Sequence, residues 1–281
     1  MSVRRPCVAG AFYPADASRL KRTIENCFTH ELGPGKLPEP GMKERQIVSV
    51  VCPHAGYMYS GPVAAHSYYH IAAEARPESV VIIGPNHTGL GGPVSMMNRG
   101  SWETPLGDVE IDEELADDIF KASDLIDIDE LAHLREHSIE VQLPFLQYIY
   151  GPEIKFVPIC MGFQDLDSSR EVGRTIAQAA KKKNAVFIAS TDLTHQESQA
   201  SAQRKDRMVI DNILSLDEEG LQRAVRSNRI STCGYGPVSA TIVASKTLGA
   251  SKAELLSYHT SGDVTGDYSM VVGYAAAKIT R

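Results

Sequence analysis

At 281 residues the chain is long enough for one large α/β unit with a sizeable core, and its 43% hydrophobic and 22% charged residues are ordinary globular proportions. A formal net charge of -7 argues against a nucleic-acid partner, and no stretch approaches the roughly 18 uninterrupted apolar residues of a membrane span. The five cysteines, Cys7, Cys27, Cys52, Cys160 and Cys233, are odd in number and scattered without CxxC pairs, which excludes a disulfide framework and a structural zinc site.

The opening MSVRRPCVAGAFYP turns to Pro, Gly and Tyr where a secretory signal would carry a continuous apolar stretch, so a cytoplasmic location is expected. Arg19 to Leu32 reads as a helix introduced by the polar turn PADAS, and Gly33 to Gly41 is a loop rich in Pro and Gly. Ile47 to Val51 reads as a buried strand, followed by a helix opening at Gly61-Pro62 and running towards Ala75, and by a second strand from Val80 to Ile83. This is a strand-helix-strand unit in which His54 and His87 each follow a strand, 33 residues apart. Parallel strands deliver both imidazoles to one carboxyl edge, where α/β proteins place their sites.

Further helices are expected from about Asp112 to Ser123 and over a segment that contains His137 to Tyr150. In the strand IKFVPI, Pro158 suggests an edge or a bulge. A helix from Ser168 to Lys183 ends in three lysines, which suit a helix C-terminus better than a nucleic-acid patch. The strand Ala185 to Ala189 leads to a third histidine, His195. A long charged helix covers Gln203 to Ser227, the Gly236-Pro237 pair opens another, and Met270 to Ile279 forms a final strand. The alternation describes a single three-layer α/β/α domain over residues 1–281, with a largely parallel or mixed central sheet.

Each histidine could simply cap a strand, but three at equivalent positions ask for a shared explanation, and imidazole is a frequent metal ligand. Two histidines hold a divalent metal poorly, so an anionic partner is sought. Cys233, followed by Gly234 and Gly236 and just ahead of a helix N-terminus that favours thiolate, is preferred to Cys52, which Pro53 and the nearness of His54 would crowd. Asp192 in STDLTH could orient His195 for general acid–base work, or cap a helix. His137 and Glu140, at i and i+3, could share a helix face behind the metal, or belong to an ordinary amphipathic helix. The Gly-rich HTGLGG lacks the spacing of a nucleotide cradle.

Taken together, AGAFYP, PHAGYMYSG, GPNHTG, EHSIEVQLPFLQ, STDLTH, TCGYGP and GDYSMVVGYAA resemble, in order and over nearly the whole chain, the Memo family, whose microbial members are called AmmeMemoRadiSam system protein B. The resemblance implies a fold similar to the class III extradiol ring-cleaving dioxygenases, which hold non-haem iron(II) with two histidines and a glutamate. It places His54 and His87 as metal ligands, Cys233 at the glutamate's place, and His195 as the acid–base residue. It makes iron(II) the expected cofactor, with copper or zinc as alternatives favoured by the thiol. A functional link to a radical-SAM protein and an AMMECR-type protein is also implied. The expected activity is metal-dependent redox chemistry on a small organic substrate, with Tyr57, Tyr59 and Tyr235 lining the pocket. The alternatives are a non-catalytic module that binds a peptide or protein in the same cleft and a hydrolase using Cys233 as nucleophile.

Overall fold

The computed structural model describes residues 2–281. Strands β1 (Val3–Arg4), β2 (Ile47–Cys52), β3 (Ser79–Pro85), β4 (Val94–Met96), β5 (Ser101–Thr104), β6 (Gly107–Glu110), β7 (Asp127–Ile128), β8 (Lys155–Met161), β9 (Ala185–Ser190), β10 (His195–Glu197), β11 (Lys252–Thr260) and β12 (Val271–Thr280) alternate with helices. The helices are α1 (Ala17–Thr29), α2 (Tyr57–Ala72), α3 (Glu113–Lys121), α4 (Leu143–Tyr150), α5 (Leu166–Ala180), α6 (Gln199–Leu214), α7 (Glu218–Asn228), α8 (Tyr235–Thr247) and the single turn α9 (Gly262–Thr265).

The four strands β2, β9, β3 and β8 lie parallel and side by side in that order, and β12 and β4 extend them with antiparallel pairing. The sheet is therefore mixed around a parallel centre. Every residue of β2 and β3 is buried, as expected of strands covered on both faces. Side chains on the two faces of β2 show the two covering layers: Cys52 Sγ reaches Ala64 O of α2, while Ser49 Oγ, three residues earlier, meets Ser245 Oγ of α8. Helices α1, α2 and α4 pack together on one side, and α3, α5, α7 and α8 on the other. A separate three-stranded sheet, β1-β5-β6, ties the start of the chain to its middle.

Several local expectations are corrected. Helix α2 starts at Tyr57, four residues before Gly61, because the Tyr57 N–H is received by Phe12 O at 2.8 Å and the turn needs no proline to begin. Pro62 consequently sits inside the helix. His137 lies outside any helix, in the loop before a single 3-10 turn, Glu140–Gln142, and α4 begins only at Leu143. The charged stretch Gln203 to Ser227 divides into α6 and α7, with Leu216 at φ 54 between them and Asp217 capping the second. Pro158 lies in an interior strand, at a gap where β4 pairing stops at Ile159 and the next bridge, from Ile111, meets Phe156. Its missing N–H thus falls where no neighbouring strand calls for it.

Candidate metal centre and cleft

The carboxyl ends of β2, β3 and β9 open into one cleft of about 640 Å³. His54, His87, His137, Asp192 and His195 all line it, together with Phe12, Tyr59, Met270, Val272 and Tyr274. His54 is carried past the end of β2, and His87 past the end of β3. His137 arrives because Gly84 leaves room for Ser138: a methyl group there would collide with Ser138 Oγ, which instead donates to Pro85 O at 3.0 Å.

One ligating atom from each of His54, His87 and His137 lies within 4.8 Å of the others, the one such group among the described residues. Their ring centroids are 4.7 to 5.4 Å apart. The hydrogen bonds fix which nitrogen each ring offers. Ser190 Oγ spends its proton on Ser138 O at 2.6 Å, so it accepts at 2.8 Å from His54 Nδ1, which leaves the His54 Nε2 lone pair free. Glu136 Oε1 accepts from His87 Nδ1 at 2.9 Å, so that ring also keeps Nε2 available, and the same oxygen lies 3.5 Å from His137 Nδ1.

Electrostatics support the same reading. Burial, and then the neighbouring imidazoles, hold His54 well below its usual range, so it stays neutral; burial also lowers His137. For His87 burial acts downward, but the hydrogen bond and charge of Glu136 outweigh it and the net shift is upward. Glu136, despite burial, is held down to about 2 by His87 and by the Ser138 and His87 backbone N–H groups. Three neutral or readily deprotonated imidazoles backed by a buried carboxylate suit a divalent cation.

Cys233 lies beside this group without joining it. Its Sγ is 3.2 Å from His54 Nε2 and receives the Asp192 N–H at 3.3 Å. Gly234 permits this approach, since any larger residue would strike Ser190 O and Thr191. The expected thiolate is corrected: burial, reinforced by the Asp192 charge, pushes the Cys233 thiol well up, which outweighs the helix N-terminus. A buried, protonated thiol also weakens the hydrolase alternative.

Asp192 does not orient His195. Its Oδ1 receives the His54 backbone N–H at 2.8 Å, and burial raises its carboxyl to about 6. His195 is held instead by Ser231: Nδ1 donates to Ser231 O at 3.0 Å, and the His195 N–H reaches Ser231 Oγ at 2.8 Å. A carbonyl only accepts, so the proton is on Nδ1 and Nε2 is the basic atom.

Glu140 also departs from expectation. It turns away from His137 into a buried pair with Arg4 at 2.5 Å, and accepts from Cys7 N, Val8 N and Tyr13 Oη. That network fastens the N-terminal segment, and with it Phe12, to the cleft. Tyr59 lines the cleft; Tyr57 is buried with its hydroxyl on Val141 O, and Tyr235 packs at the start of α8, outside it. Sequence reasoning passed over Glu136 and Ser190, although they open the quoted motifs EHSIEVQLPFLQ and STDLTH, and Tyr274, which stands in the closing GDYSMVVGYAA.

Fold and site together define a mixed α/β protein with a histidine group able to hold a metal ion at the carboxyl edge of its sheet. A family model described as Memo-like protein matches residues 4–278, and the chain belongs to the Memo family. A MEMO1 family protein of Methanopyrus kandleri is 56% identical over 99% of both chains. One from Methanothermobacter thermautotrophicus is 52% identical, over 97% of this chain and 99% of its own. Among solved structures, an uncharacterized protein from Escherichia coli K12 superposes with a TM-score of 0.56 at 14% identity, covering 83% of this chain and 99% of that one. At that identity the likeness concerns fold alone. The family, and the α/β fold with a mixed central sheet, are those expected from the sequence. Among the described residues no helix is long and apolar enough to cross a membrane.

Proposed function

We propose that the protein is a metal-dependent oxidoreductase acting on an organic molecule bound in this cleft. The observation that carries the reading is the group of three imidazoles whose Nδ1 atoms face oxygen acceptors, leaving Nε2 to serve a metal, that of His54 beside the Cys233 thiol. His54, His87 and His137 would hold the ion, with Cys233, in contact with His54 Nε2, as a fourth donor. Iron(II) is the favoured metal and copper or zinc the alternatives, since a set of imidazoles with one thiol suits all three. When bound, iron or copper would supply redox chemistry towards dioxygen.

The chain's own residues supply the rest. His195, with its proton fixed on Nδ1 by Ser231 O, receives a substrate proton at Nε2. Asp192 holds the His54 backbone in place, and the walls formed by Phe12, Tyr59 and Tyr274 keep water from the reacting group. The test is anaerobic purification followed by metal analysis and spectroscopy with nitric oxide. The reading expects about one iron per chain and a nitrosyl signal. Once turnover is found, His195→Ala should lower it by about 10² to 10⁴-fold while keeping the metal. A protein that takes up neither iron nor copper at this site would leave the binding-module alternative standing.

A further inference from the structure

We propose that the molecule accepted by this cleft is a small organic ammonium, its apolar body lying along Phe12, Tyr59 and Tyr274 and its charged group meeting Asp267. This rests on the cleft being the substrate site and adds the chemical class of that substrate. The first observation is the sign of the lining. The cleft carries two carboxylates, Asp192 and Asp267, and neither lysine nor arginine. The cations lie elsewhere: Lys155, Lys181, Lys182 and Lys183 line cavities at the opposite, amino-terminal edge of the sheet. A carboxylate or phosphate entering near the mouth would find the like charge of Asp267 and no lysine or arginine to receive it, the four imidazoles lying deeper and three of them directed to the metal.

The second observation is how Asp267 is presented. It lies on the segment joining β11 to β12, which also brings Ser261, Thr265 and Met270 to the cleft. Its Oδ1 accepts both the Ser269 N–H at 2.9 Å and the Ser269 hydroxyl at 2.6 Å. The carboxylate is therefore oriented, and among the described residues Oδ2 has no donor. These Ser269 bonds also lower its pKa, so it is ionised at neutral pH. The third observation is the apolar wall: three aromatic rings and Met270 suit a hydrocarbon body, and ring faces also attract an ammonium. The net charge of -7 draws cations towards the protein from a distance.

The test uses three probes of one shape, 3-phenylpropylamine, 3-phenylpropanol and 3-phenylpropanoate, titrated at pH 7.5 into metal-free, full-length protein and followed by amide chemical shifts. The amine should bind at least about threefold tighter than the alcohol and about tenfold tighter than the carboxylate, with the largest shifts at Tyr59, Asp267 and Tyr274. Asp267→Asn, which keeps an acceptor for Ser269, should bring the amine down to the alcohol and leave the alcohol unchanged. A carboxylate that binds best, an amine preference that survives Asp267→Asn, or no cleft shift with any probe overturns the proposal. Iron content and the nitrosyl signal of the same two proteins are measured separately. Their loss in the wild type sinks the oxidoreductase reading, whereas normal values with the wrong probe order sink only the ammonium assignment.

Discussion

Ser190 Oγ has a single proton and three polar neighbours, and that arithmetic decides the chemistry of His54. Because the hydroxyl donates to Ser138 O, it accepts from His54, and the imidazole is left presenting Nε2 to the cleft. If this reading holds, Ala at His54, His87 or His137 should each cut bound iron to below about a tenth of wild type. Cys233→Ser should instead keep the stoichiometry and weaken affinity about tenfold; chelator competition with metal analysis measures both. Iron retained in full by His137→Ala would remove that residue from the site. Glu136 is the second test, because it backs two of the three rings. Glu136→Gln removes the charge while keeping the shape, and outer partners of this kind typically contribute 10- to 100-fold in metal affinity. An unchanged affinity would reduce Glu136 to a loop anchor.

Among elements, the contact between β3 and the Glu136–Ile139 loop positions the third histidine. Gly84→Ala would push Ser138 away from Pro85 O, and overpacking of this sort costs about 1–3 kcal/mol. Urea denaturation should show that loss, and iron affinity should fall with it; a variant with unaltered stability would mean the loop yields freely. The same contact explains what the sequence could and could not disclose. The apolar runs of β2, β3 and β9 are legible, because strands buried on both faces are nearly all Val, Ile and Ala, and the histidines after them follow from parallel geometry. His137 was legible as a residue but not in its place. EHSIE matches helical spacing, yet Glu136 bonds back to the His137 and Ser138 N–H groups, and Arg4 draws Glu140 the other way. The distant partners of the two carboxylates, His87 for Glu136 and Arg4 for Glu140, stand 49 and 136 residues away in the chain, beyond any periodicity. The two-to-four-residue strands, and β11, whose side chains are mostly half-buried, carry too weak a pattern to announce themselves.

For the whole molecule, burial of neutral histidines sets the response to acid. Burial, aided by the Arg4 charge, takes His133 down to about 3, and His54 and His137 are lowered as well. Below about pH 6.5 the unfolded chain binds protons that these folded rings refuse, so stability is complete above that pH and declines as pH falls towards 3. His87 acts in the opposite sense, its contribution being lost as pH rises through its raised folded value, but it is one ring against five, since burial lowers His66 and His70 too. Denaturation of metal-free protein from pH 7 to 4.5 should show this decline. His133→Leu should flatten it by about one proton's worth, near 1.4 kcal/mol per pH unit. An identical slope would mean His133 is protonated in the folded state. The Arg4–Glu140 pair carries a last consequence. It closes a span of 136 residues, and the Cys233–His54 contact closes one of 179, so the centre is stitched from both halves of the chain. On the ribosome the first stitch needs half of the polypeptide and the second everything up to Cys233, and no fragment shorter than residues 4–233 contains both. The cleft is consequently a late product of folding, complete only when Cys233 has reached His54, and it cannot be moved to another scaffold one segment at a time.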